Sequence, residues 1–269
     1  MRPSLPTLCT LAAMSLSAGC ASLIDGPRST TYSNSAKENY ERGVRELKNE
    51  NWLDAAKYFQ YTKTKYGFSK YAPLAQLGMA DTELGRERWP EAVDGYKSFM
   101  REHPRHERVE DGYAAFQIGM CFYKQIPSEW FLVPPSTEKD QGPVRDALRE
   151  LRNFVKEYAD SKYAARAATM VGDCEKRLAE HELYVAHFYL NRDKPKSAIG
   201  RLEGLLADFP DSAVTPEVLL TLAQTHLKMN EPKPARAVLE RLIAEYPTDF
   251  HARQASLYLK HIAEAFPGA

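Results

Sequence analysis

The chain has 269 residues, with 36 basic and 36 acidic side chains and a formal charge of zero. That balance argues against a nucleic-acid binder, which carries a basic excess to hold phosphate, and 43% hydrophobic with 27% charged residues marks a folded rather than a disordered chain. No run reaches the ~18–20 apolar residues that span a bilayer, so membrane attachment has to come from the N-terminus.

Residues 1–19 read as an export signal. Arg2 supplies a small positive start and Leu5 to Leu16 a short apolar stretch. Leu16-Ser17-Ala18-Gly19-Cys20 follows and resembles a lipobox, in which the cysteine carries lipid and becomes the first residue of the mature chain. Ser17 departs from the usual leucine, and the alternative is an ordinary cleaved signal that contains a cysteine. Each buried acyl CH₂ contributes about 0.8 kcal/mol, so a multiply acylated Cys20 would hold firmly. Ala21 rather than Asp follows Cys20, which by the enterobacterial sorting rule points to the outer membrane. Residues 20–35, with Gly26, Pro27 and several Ser and Thr, read as a flexible tether.

From residue 36 onward five segments share one register. An alanine is followed four and seven residues later by larger, mostly apolar residues, and twelve later by Pro, Gly or Ala. The sets are Ala55, Phe59, Thr62, Gly67; Ala92, Tyr96, Phe99, Pro104; Ala147, Leu151, Phe154, Ala159; Ala198, Leu202, Leu205, Pro210; and Ala235, Leu239, Leu242, Pro247. That spacing is one face of a helix, the alanine admits a close neighbour, and the last position ends the helix. An aromatic or His precedes each breaker: Tyr66, His103, Tyr158, Phe209 and Tyr246. Two residues beyond it stand Ser69, His106, Ser161, Ser212 and Asp249, of which all but the histidine are good N-caps.

This pattern resembles the tetratricopeptide repeat, whose unit is a helix hairpin of about 34 residues. The alanines here are 37, 55, 51 and 37 residues apart, so two units are enlarged. The first excess falls in the Pro-rich segment 126–142, read as a loop between the helices of the third repeat. The second has no breaker, and Ser161 to Leu190 reads as one long helix into the fourth repeat. The expectation is an all-α TPR solenoid of about five helix hairpins. It comprises an N-terminal pair of repeats at 36–106, a third at 107–160 with its inserted loop, C-terminal repeats at 161–249, and a capping helix at 250–269.

Several stretches are more specific than the repeat itself. Arg177-Leu178-Ala179-Glu180-His181-Glu182-Leu183-Tyr184-Val185-Ala186, continuing to Leu190, closely resembles the long helix of the BamD family, also called ComL or YfiO-like. Phe99 to His106, Gly119 to Tyr123, Tyr158 to Tyr163 and Ala198 to Pro210 agree with that family as well. The 126–142 loop is longer and more aromatic than the family pattern. The resemblance implies an outer-membrane lipoprotein without catalytic activity or cofactor, facing the periplasm and working within the β-barrel assembly machinery. It implies C-terminal repeats that dock on the last POTRA domain of BamA. It also implies contact with other lipoproteins of that machinery, and N-terminal repeats that receive unfolded outer-membrane β-barrel proteins. The family arginine of the R-x-E-x-x-L element near the BamA contact corresponds to Arg201. Read from the residues alone, Arg201 is a solvated surface arginine paired with Glu203 or Glu240.

Four further features were open. Nine aromatics stand between Tyr32 and Tyr71, about twice the chain average of 11%. Most are core, and the surplus, Tyr40 and Tyr61, is a candidate lining for a groove that takes an extended peptide. Cys121 and Cys174 are an even pair in an oxidising compartment, either a disulfide or two buried thiols, since Cys9 leaves with the signal. His103 and His106 share a turn with no further ligand at metal spacing. No catalytic or phosphate-binding motif is present. The alternative function is a periplasmic TPR adaptor that coordinates peptidoglycan synthesis with envelope constriction.

Overall fold

The computed structural model of the chain describes residues 30–127 and 136–267. The signal 1–19, Cys20, the first part of the tether and the centre of the insert, with Trp130 and Phe131, lie outside the described residues. The rest is helical: α1 (Ala36–Lys48), α2 (Trp52–Lys65), α3 (Tyr71–Gly85), α4 (Trp89–Glu102), α5 (Glu107–Glu110), α6 (Tyr113–Lys124), α7 (Gly142–Glu157), α8 (Ala164–Asn191), α9 (Pro195–Asp208), α10 (Thr215–Lys228), α11 (Pro232–Glu245) and α12 (Phe250–Ala265). No helix among the described residues is long and apolar enough to cross a membrane.

The hairpins are α1–α2, α3–α4, α6–α7, α8–α9 and α10–α11, and each packs on the next. The five alanines of the register stand near the start of the second helices and are all 0% exposed. The residues four and seven later, from Phe59 and Thr62 to Leu239 and Leu242, are buried too. The second helices also end alike. Tyr66, His103, Tyr158, Phe209 and Tyr246 are their C-caps, and each donates its N–H to the carbonyl of the +7 residue at 2.8–3.0 Å. The aromatic or His before the breaker is therefore the residue at which the helix ends, one step ahead of the Pro, Gly or Ala.

Four of the five hairpin turns share one backbone device. Glu50, Glu87, Asp193 and Asn230 sit at φ +54 to +61°, each five residues before its alanine. Among the described residues the third hairpin shows no such position. Close packing inside the first hairpins depends on glycine. Phe59 is fully buried, and a Cβ on Gly43 of α1 or Gly78 of α3 would stand 2.7 or 2.6 Å from its ring.

Several expectations need correction. The enlarged third unit is not one loop insert, since part of its excess is the short α5, which delays α6. The end of the insert forms a 3-10 turn at Ser136–Glu138 that leans on α8. There the His181 Nδ1–H donates to Thr137 O at 2.7 Å and the Tyr184 hydroxyl donates to Glu138 Oε1 at 3.2 Å. Helix α8 runs 28 residues, about twice the 14 of α10, and so absorbs the second excess. The tether does not extend to residue 35. Asn39 is fully buried, donating to Ser33 O at 2.7 Å and Ser35 O at 2.8 Å and accepting from Ser33 N at 2.8 Å.

The proposed caps divide. Asp249 caps α12, and His106, the poor candidate, caps α5 through Nδ1 at 3.0 Å from Arg108 N. Ser69 and Ser161 accept instead from the N–H two residues on, Tyr71 and Tyr163, in the turn that leads into each helix, and Ser212 Oγ is buried without a partner. Helix α12 repeats the second-helix register: Ala255 and Ile262 are fully buried, Leu259 packs beside them, and Phe266 N donates to Ile262 O at 2.9 Å before Pro267.

Cys121 and Cys174 are free thiols, not a disulfide. They belong to different apolar clusters, Cys121 with Ala92, Tyr96 and Phe99, and Cys174 with Leu151, Phe154 and Met170. Burial pushes both thiols up to about 12.

One polar junction ties α3, α4 and α6. Asp81 Oδ1 accepts the Tyr96 hydroxyl at 2.6 Å and the Tyr113 hydroxyl at 2.8 Å. Burial raises the Asp81 carboxyl above its ordinary 3.8, against the pull of both hydroxyls and Arg108. A raised carboxyl stabilises the fold below its unfolded value, and that contribution is lost as pH rises through the folded value.

Two outcomes follow from this packing. Gly78→Ala overpacks the Phe59 site and lowers stability by about 1–3 kcal/mol in urea unfolding. Asp81→Asn keeps an acceptor for both tyrosines but does not titrate. Its stability relative to wild type therefore rises with pH from about 4 upward, whereas parallel pH profiles would show that Asp81 carries no such linkage.

Candidate functional site

Arg201 lies on α9 with its side chain 47% exposed. Its Nη1 stands 3.0 Å from Glu182 Oε2 on α8, not beside Glu203 or Glu240. Glu203 is two positions along the same helix and faces away from Arg201, whereas α8 carries Glu182 alongside. Arg145 of α7 approaches the other oxygen of Glu182 at 3.7 Å. One largely covered carboxylate thus orients two exposed guanidinium groups from the second helices on either side of α8. Such exposed pairs contribute little to stability, but they leave donors facing outward in fixed positions. Beyond them α8 shows Tyr184 and Phe188, 39% and 40% exposed, with the Arg192 guanidinium 3.7 Å from the Phe188 ring centroid.

Tyr40 and Tyr61 fall in separate aromatic groups. Tyr61, on α2, stacks on Tyr32 at 4.0 Å and meets Tyr66 edge-on at 6.1 Å. The chain segment before α1 therefore covers it: Thr31 O accepts from Arg42 Nη1 at 2.6 Å and Ser33 O from the Tyr66 hydroxyl at 3.2 Å. Tyr40, on α1, is half-buried, 5.9 Å from Phe59 and 5.7 Å from Tyr71. Burial, then the nearby Asp81, raises its phenol above 10.0.

First helices of neighbouring hairpins meet one another, α1 with α3 and α6 with α8 by packing, and α3 with α6 through the Asp81–Tyr113 hydrogen bond. In a repeat stack that layer is the inner, recognition surface. Tyr40, Tyr71, Tyr113 and Tyr163 lie half-buried along it. Tyr113 is 5.9 Å from Tyr163, which stacks on Phe116 at 5.0 Å. Each ring beyond Tyr40 has a cation: Lys70 on Tyr71 at 5.5 Å, Arg108 on Tyr113 at 5.4 Å, Lys162 on Tyr163 at 5.0 Å and Arg166 on Phe116 at 5.6 Å. Rings with cations suit aromatic and acidic groups of an extended chain.

The register held a signal for this strip that the sequence reading missed. Tyr71 and Tyr163 each stand sixteen residues after the alanine of the preceding repeat, and Tyr113 is displaced from that place by α5. His103 Nε2 lies 3.3 Å from Gln76 Oε1 and His106 caps α5, so both histidines serve the fold.

Residues 32–242 match the YfiO family, described as outer membrane lipoprotein. Three relatives bear the name outer membrane protein assembly factor BamD. That of Vibrio cholerae is 27% identical over 77% of this chain and 84% of its own length. That of Caulobacter vibrioides is 24% identical over 83% and 70%, and that of Haemophilus influenzae 24% over 81% and 82%. Among solved structures the chain has a likeness to the TPR2AB-domain:pHSP90 complex of yeast Sti1, with TM-score 0.44 and 14% identity over 86% of each chain. With most of its length matched, from the segment that covers Tyr61 into the last turn of α11, this chain belongs to the YfiO family of outer membrane lipoproteins.

Proposed function

We propose that this chain is a non-catalytic scaffold of the outer-membrane β-barrel assembly machinery, held by lipid on Cys20 at the periplasmic face. Its C-terminal repeats bind the last POTRA domain of BamA through a surface that includes Arg201. Its N-terminal repeats receive unfolded outer-membrane proteins along the first-helix layer, where Tyr40 stands. Tyr61 belongs to that site only if the segment around Tyr32 moves aside.

The family match over residues 32–242, to relatives named as assembly factors, carries this reading. The geometry supports it in two ways. Arg201 and Arg145 are held outward by Glu182, an arrangement that suits a carboxylate-bearing partner. The inner layer offers rings and cations rather than a catalytic constellation, so the work is binding and positioning.

Binding of the purified chain to an isolated POTRA domain tests the contact. Arg201→Ala and Arg201→Glu are expected to cost about 2–4 kcal/mol of affinity, the range for an arginine at an interface centre. Glu182→Gln, which keeps Arg201 but loosens its internal partner, is expected to change affinity much less. An unchanged dissociation constant for Arg201→Glu would remove Arg201 from the interface.

A further inference from the structure

A pocket of about 380 Å³ opens between α6 and α8, next to the aromatic strip. Met120, Tyr123, Ile126, Pro127 and Met170 make its wall, and Lys124, Arg166 and Arg177 bring three cations. Among the described residues that line it, none is acidic. Asp173, which meets two of these residues, is already engaged: its Oδ2 accepts the Tyr123 hydroxyl at 2.7 Å and Arg177 Nε at 3.1 Å. The other end of that guanidinium is left over, since Arg177 Nη1 is buried with no hydrogen-bond partner. A buried donor without an acceptor is costly, the more so when it is charged. Arg166, at the mouth, reaches across to the Phe116 ring and joins the pocket to the strip.

We propose that this pocket is a carboxylate site: it takes the acidic side chain of an extended polypeptide segment, with a neighbouring apolar or aromatic residue against Met120 and Met170. An arriving carboxylate would supply the missing counter-charge for Arg166 and Lys124, and would accept from Arg177 Nη1 once that side chain turns its covered end into the pocket. Methionine walls tolerate varied apolar neighbours, so the site reads charge beside bulk rather than one sequence. The donors are side chains of long, adaptable residues rather than a nest of backbone N–H groups, the usual means of capturing a chain terminus. That difference favours a side-chain carboxylate within a passing segment. The inference rests on the pocket alone and holds whichever machinery the chain joins.

Isothermal titration of the full-length chain tests it with three short peptides of alternating Ser and Val around a central pair. The first is C-terminally amidated with Phe-Glu at the centre, the second amidated with Phe-Gln, and the third Phe-Gln with a free C-terminal carboxylate. The Phe-Glu peptide is expected to bind about tenfold more tightly than amidated Phe-Gln, as for a charge-assisted hydrogen bond. Arg177→Gln and Arg166→Gln should each shrink that preference to within about threefold while the helical circular dichroism is retained. Arg166 is exposed, so its variant remains informative if Arg177→Gln fails to fold. Equal binding of the Glu and Gln peptides, or a preference that survives Arg166→Gln, would overturn the site. Tight binding of the free-terminus peptide alone would overturn the side-chain assignment. Recovery of a POTRA-containing partner by the Arg166→Gln chain separates loss of this site from failure of the assembly reading.

Discussion

The close approach of helices at one buried alanine per repeat governs this molecule. Each of the five alanines is fully enclosed, and the larger residues four and seven positions on fill the space their small neighbour leaves. A larger side chain at the alanine would hold adjacent helices apart and misplace both partners in the next layer. The first hairpins show the complementary arrangement, a Phe59 ring seated between Gly43 and Gly78. Because each repeat meets only its neighbours, the stack is a chain of such local fits, and its stability is close to their sum.

That constraint also explains where the chain tolerates extra residues. The second enlargement is helical: α8 runs past the third hairpin into the fourth and keeps Ala167, Cys174, Leu178, Ala186 and their neighbours on the buried side. The same extension places Glu182 between Arg145 and Arg201, so the longer helix also makes the polar cluster on its flank. The first enlargement is not helical throughout. It divides between α5 and the 126–141 segment, whose end is tied back to α8 by His181 and Tyr184. Both enlargements thus bear on the surfaces that the scaffold reading assigns to partners.

Much of the fold was legible because the register is a core pattern, and core patterns repeat. The five sets of residues, the long helix and the closing helix could be read from spacing alone. Contacts between different helices could not. Glu182 is nineteen residues from Arg201 and meets it only because α8 is long. Tyr61 looked like surplus aromatic surface, but Tyr32, from a segment read as tether, covers it. The cap at His106 was unreadable, since an imidazole nitrogen there does what serine does elsewhere. The aromatic strip lay within the repeat offset yet outside the helix that defined it. The orphaned nitrogen of Arg177 had no sequence signature, since it arises from how Tyr123 and Asp173 engage the rest of that side chain.

The central claim is that this stack works by holding other polypeptides within an outer-membrane assembly. A mild-detergent pulldown of the tagged full-length chain from outer membranes, with partners identified by mass spectrometry, tests it most directly. The account predicts recovery of a large barrel protein with POTRA domains in near-equal amount. Its absence, with cell-wall synthases recovered in its place, would contradict the account and favour an adaptor of envelope constriction.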